Sequence, residues 1–141
     1  MVKSVRRKVA VGMAIMMCTF MGATGFVSAS SDRAVADYNL VIPRFGLSTN
    51  YTDTEVKVGT SSAVNNNTSI GGGYDLNCAI FNTANSQMTK TKSFNSGNRV
   101  LLNYNDAASA KGVKCKLGIW SDLTTAVKVQ VSGSWSPDDK Q

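Results

Sequence analysis

The chain contains no histidine. That removes the side chain on which Ser-His and Cys-His nucleophilic pairs and most metal-ligand sets depend. Past position 29 the acidic residues are Asp32, Asp37, Asp53, Glu55, Asp75, Asp106, Asp122, Asp138 and Asp139. They are scattered and not paired. A glycosidase needs two carboxylates facing each other across a sugar, and a fold can assemble such a pair, but nothing in this spacing supplies one. Asp53-Thr54-Glu55 lacks the fixed offsets of a calcium loop, and Asp138-Asp139 reads as a solvated tail. Gly71-Gly72-Gly73 precedes a strand, so it presents no helix amide groups to a phosphate. The expectation is a protein that is not an enzyme and takes neither a cofactor nor a metal.

Cysteines and aromatic rings remain. Cys18 falls in the apolar N-terminal run, which leaves Cys78 and Cys115 as an even pair. In an oxidising compartment two cysteines in one small domain favour a disulfide. Closing that loop of roughly 38 residues would stabilise the fold by about 3–4 kcal/mol. The alternative is two buried free thiols. Among the rings, Trp135 continues the apolar face of the last strand and belongs to the core. Trp120 follows Ile119 and points to the other face, beside Ser121 and Asp122. Trp120 and Tyr51 are therefore the candidate contact residues, on a surface suited to a sugar or a lipid.

The elements that must position these groups are strands. Residues 38–42 form a first strand that Pro43 ends, since proline cannot donate to a ladder. Residues 54–58 alternate as a second. The run 65–69, rich in asparagine, and the triple glycine bracket a surface segment. In the strand 74–82, Leu76, Cys78 and Ile80 share one face while Asp75, Asn77 and Ala79 share the other. Polar residues 88–94 follow, then an Asn-Ser-Gly-Asn turn and a strand over 99–104. Residues 113–119 alternate cleanly, with Cys115 on the apolar side. The last strand places Val127, Val129, Val131, Gly133 and Trp135 on one face. Only Ala107-Ala108-Ser109-Ala110 tolerates a single helical turn. About seven short strands at this spacing indicate an all-β fold, a small antiparallel sandwich or barrel. It forms a single domain over 38–141, after a flexible stretch at 30–37.

The first 29 residues form a separate unit, read as a helical secretory signal. Lys3, Arg6, Arg7 and Lys8 precede an uncharged apolar run from Val9 to Val27, and small residues follow it. That is the three-part layout of a cleaved signal, with the cut placed after Ala29. Removing those four from the chain's 15 basic residues leaves 11 against 9 acidic ones, a net charge of +2. Such a balance gives no dense basic stripe to displace counterions, so no nucleic-acid partner is expected. No stable membrane anchor remains after cleavage.

The runs Arg99-Val100-Leu101-Leu102-Asn103-Tyr104, Lys116-Leu117-Gly118-Ile119 and Val131-Ser132-Gly133-Ser134-Trp135-Ser136-Pro137-Asp138 resemble a family of small exported proteins from bacilli and related Gram-positive bacteria. The family has no established function. Its members carry a signal peptide, about a hundred further residues, and a Ser-Gly-aromatic-Trp motif before an acidic tail. Here Ser134 stands where an aromatic is common. A vaguer likeness is to lactococcin-type bacteriocins, which are also small exported β-sandwich proteins. The resemblance implies secretion and a β fold, and it carries no catalytic residues across. The expected role is a secreted, non-enzymatic binding or interaction domain whose partner is a cell-envelope component or another protein. The alternative is a bacteriocin-like antimicrobial protein. N-terminal sequencing of the exported form is expected to begin at Ser30; a product that retains Met1 in the membrane fraction would refute the cleavage.

Overall fold

Strict two-residue alternation lets a strand bury one face and wet the other, and most of this chain is built that way. The computed structural model describes residues 34–139; the expected signal over 1–29 and its expected cut lie outside the described residues. Nine strands follow in order: β1 (Ala36–Ile42), β2 (Asn50–Tyr51), β3 (Glu55–Val56), β4 (Ala63–Ile70), β5 (Leu76–Asn82), β6 (Lys92–Phe94), β7 (Arg99–Leu102), β8 (Lys114–Ser121) and β9 (Val129–Ser136). The helical turn α1 (Ala107–Ala110) separates β7 from β8, capped by the Asp106 carboxylate, which accepts from Ser109 N. All sheet pairings are antiparallel. One sheet runs β1-β9-β4-β7 and the other β2-β8-β5-β6, with β3 also paired to β8.

The two sheets pack as a sandwich around one hydrophobic core. From the first sheet come Tyr38, Ile42, Val129, Val131, Leu102 and Trp135; the second contributes Leu76, Cys78, Ile80, Phe94, Leu117 and Ile119. Trp135 is 1% exposed and fills the centre. Gly133 of the Ser-Gly-x-Trp motif lies directly opposite Tyr38. A Cβ there would come within 2.8 Å of the Tyr38 hydroxyl and 2.6 Å of the Asn66 carbonyl oxygen. The glycine is therefore a space requirement of the core, and the motif is read as packing.

Strand β4 departs from the sequence reading. Residues 65–69 are not a surface segment but part of a strand between β9 and β7, with Asn65 and Asn67 buried. Both amides are satisfied inside, as burial demands. Tyr38 Oη donates to Asn65 Oδ1 at 2.8 Å, and Asn67 Nδ2 donates to Ser132 O at 3.0 Å. An extra residue, Thr68, bulges out between Asn67 and Ser69, so the inward positions break their period. The triple glycine does lie at the surface, as the exposed turn between β4 and β5.

Cys78 and Cys115 correct a second expectation, because neither is bonded. Both face the core, but from neighbouring strands of the same sheet. Cys78 pairs with Ile119 and Cys115 with Asn82, an offset of four residues along the ladder. At about 3.4 Å per residue that separates them by roughly 13 Å, about twice the reach of a disulfide. Burial pushes the Cys78 thiol up to about 12 and the Cys115 thiol up to about 11. Both are uncharged at neutral pH.

The C-terminal acidic pair corrects a third. Asp138 is completely buried and forms an ion pair with Lys57, itself completely buried, at 2.6 Å. Asp139 pairs with Arg99. The domain also begins its pairing at Ala36, opposite Trp135, two residues before the expected start. Trp135→Ala is expected to cost about 3–5 kcal/mol, as deletion of a buried indole does, whereas Trp120→Ala should cost well under half of that. Melting curves compare the two; a larger loss at Trp120 would reverse the assignment of core and surface.

Candidate functional site

Parity along β8 sends Cys115, Leu117 and Ile119 inward and leaves Lys116, Gly118 and Trp120 on the outer face. Parity along β5 puts Asn77, Ala79 and Phe81 on that same outer face, beside Trp120, Gly118 and Lys116 respectively. On the other flank of β8, Tyr51 of β2 pairs with Gly118. Gly118 and Ala79 thus form a row of small residues, and large rings close over it.

Phe81 is the ring that joins the others. Its centroid is 5.3 Å from that of Tyr51 at 82°, and 6.2 Å from that of Trp120 at 72°. Both are edge-to-face contacts, the geometry the ring quadrupoles favour. A Cβ on Gly118 would lie 2.6 Å from Phe81 Cε1 and 2.9 Å from Thr49 Cγ2, so the ring rests on bare backbone. Phe81 is nearly buried beneath its neighbours, while Tyr51 and Trp120 stay partly exposed. Lys116 Nζ sits 4.0 Å from the Tyr51 ring centroid, a cation–π contact that fixes the ring's outer side. Beside Trp120, Asn77 Nδ2 donates to Asp122 Oδ1 at 2.6 Å. The two candidate contact residues, distant in sequence, therefore lie on one surface and share one support.

An apolar tip adjoins this face where β8 ends. Phe45 N donates to Thr125 O at 2.7 Å and Gly46 N to Ser121 Oγ at 3.0 Å, which binds the turn after β1 to the loop after β8. Phe45 is held at φ 58°, a left-handed conformation that costs a non-glycine residue about 1–2 kcal/mol. Leu47 is 72% exposed and Leu123 80% exposed. Arg44 lies over the Phe45 ring, 5.7 Å from its centroid.

Elsewhere a surface hollow of about 410 Å³ is lined by Lys90, Lys92, Asn103, Tyr104 and Asn105. Its one ring, Tyr104, is committed to the interior, with the hydroxyl donating to Pro137 O at 2.8 Å and Lys57 Nζ 4.2 Å from the ring centroid. Among the described residues, no group of three or more Cys, Asp or Glu is placed to hold a metal ion. The chemistry the outer face offers is stacking, apolar contact and hydrogen bonding.

Sequence reasoning located Tyr51 and Trp120 but missed Phe81, Lys116 and the Gly118–Ala79 row. The signal was present, since the alternation that buries Leu76, Cys78 and Ile80 also turns Phe81 outward. What it lacked was the register that sets Phe81 between the other two rings. Comparison with protein-family models, curated proteins and solved structures found no match to this chain.

Gly118→Ala should force Phe81 off the strand and loosen both edge-to-face contacts, at a cost of about 1–3 kcal/mol. Trp120 fluorescence should shift with it; an unchanged spectrum and stability would show that Phe81 does not rest on Gly118.

Proposed function

We propose that the protein is a secreted, non-enzymatic binding domain that engages a component of the cell envelope through the outer face of the β8 sheet. The observation that carries this is the placement of Tyr51 and Trp120, both partly exposed and each packed edge-to-face against Phe81. Supported rings lose little conformational freedom when they bind, which keeps the ordering cost of contact low. Aromatic faces flanked by polar side chains suit a sugar polymer, where the rings stack and the Asn77–Asp122 pair supplies polar contacts. The N-terminal signal reading and the resemblance to small exported proteins of Gram-positive bacteria point to the same compartment.

The bacteriocin-like reading is favoured by a different observation, the apolar tip. Leu47 and Leu123 are among the most exposed large hydrophobic side chains, and Arg44 lies over the Phe45 ring in the turn that precedes Leu47. Exposed apolar residues next to a cation are suited to the boundary between lipid headgroups and acyl chains.

Co-sedimentation with purified bacterial cell walls tests the first reading. Trp120→Ala and Tyr51→Ala should each weaken binding about tenfold, a loss of about 1.4 kcal/mol, while Leu123→Ser leaves it intact. Wild-type protein that stays in the supernatant, or ring variants that bind as well as wild type, would refute it. Growth inhibition or dye release from anionic vesicles that depends on Leu123 would favour the second reading.

A further inference from the structure

Lys57 and Asp138 form a site that the binding surface does not use. Both side chains are 0% exposed, and Nζ lies 2.6 Å from Oδ1. Two backbone amides point at the same carboxyl group, Val58 N to Oδ2 at 2.7 Å and Gly59 N to Oδ1 at 3.1 Å. The amine is also fixed from behind, by Ser61 O at 2.5 Å, Pro137 O at 3.3 Å and the Tyr104 ring. A hydroxyl stands at the same carboxyl group, with Ser61 Oγ donating to Asp138 Oδ1 at 3.4 Å.

We propose that Lys57 and Asp138 condense in the folded protein to a side-chain amide, an intramolecular cross-link between the β3–β4 connection and the segment that follows β9. The geometry meets each requirement of that reaction. With Oδ1 at 2.6 Å, the carboxyl carbon lies one bond further on, near the ~3–3.5 Å at which attack begins. One proton passes from Nζ to Oδ1 along the hydrogen bond that joins them. The Nζ lone pair then attacks Cγ, and the oxyanion that develops on Oδ2 accepts from Val58 N. The Ser61 hydroxyl takes the second amine proton as it gives its own to the departing Oδ1 hydroxyl. The Nζ–Cγ bond forms, the Cγ–OH bond breaks and one water leaves, with no change of oxidation state and no other reactant.

Intact mass of the reduced, denatured protein tests this. The wild-type mature chain is expected to be lighter than its sequence by one water molecule. Its protease digest should contain a branched peptide that joins Lys57 to Asp138. Lys57→Arg keeps the charge and is expected to give the full sequence mass. Ser61→Ala should also give the full mass, with the native near-UV spectrum retained. Wild-type protein of full sequence mass, with Lys57 and Asp138 recovered on separate unmodified peptides, overturns the cross-link. A Ser61→Ala variant that still loses water overturns the role given to Ser61.

Discussion

Everything at one end of this sandwich depends on two opposite charges entering a site without water. An isolated buried ion is penalised by several kcal/mol even after relaxation, so neither Lys57 nor Asp138 can be enclosed without the other. Their partners are accordingly numerous. The amine donates to two carbonyl oxygens and the carboxylate, and the carboxylate accepts from two backbone amides as well. Closing this set fixes the path of residues 57–61 and holds Pro137 so that its carbonyl meets Tyr104. It also draws in Asp139, whose amide donates to Ser62 O at 2.6 Å. The core around Trp135 is sealed at that end by electrostatics, where the centre is sealed by apolar packing.

A single extra residue makes that site reachable and creates the aromatic face at the same time. From Tyr51 to Glu55 the chain advances four residues while its partner β8 advances three, Gly118 to Cys115. Thr52 bridges the irregularity by donating its amide to Leu117 O and accepting from Leu117 N through its hydroxyl. A bulge of this kind reverses the parity of everything beyond it. Tyr51 therefore points out towards Phe81 while Glu55 and Lys57 point in. Without the bulge both groups would lie on one face, and either the ring surface or the buried pair would be lost.

The sequence made the unbulged strands legible. In β5, β8 and β9 every second residue is apolar on the inward side, and both the inward residues and the outward position of Trp120 follow from it. The single turn α1 was equally plain in the Ala-Ala-Ser-Ala run. Where a bulge or a buried polar group intervenes, the period misleads. Residues 54–58 place their valines and charges alternately, which favours burial of the valines, yet Val56 is 41% exposed and Lys57 is enclosed. Strand β4 was hidden because its inward positions include two asparagines, whose cost is offset by Tyr38 and Ser132, residues far away in the chain. Asp138 resembled a tail for the same reason, since its partner lies 81 positions earlier. The cysteines were placed on their correct faces; only the register shows them four rungs apart.

The position of β9 governs how the molecule can come together in time. It lies between β1 and β4, hydrogen-bonded to both, yet it follows every other described strand in the chain. Until it arrives, β1 has no neighbour in its sheet, and the pocket for Lys57 has no counter-charge. A chain delivered from its N-terminus therefore accumulates strands that cannot complete the first sheet. Pairing between strands so far apart in the chain is slow to form, so the first sheet stays open until β9 is free. Any process that threads this domain from its N-terminal side therefore meets an unfinished sheet until β9 itself has passed.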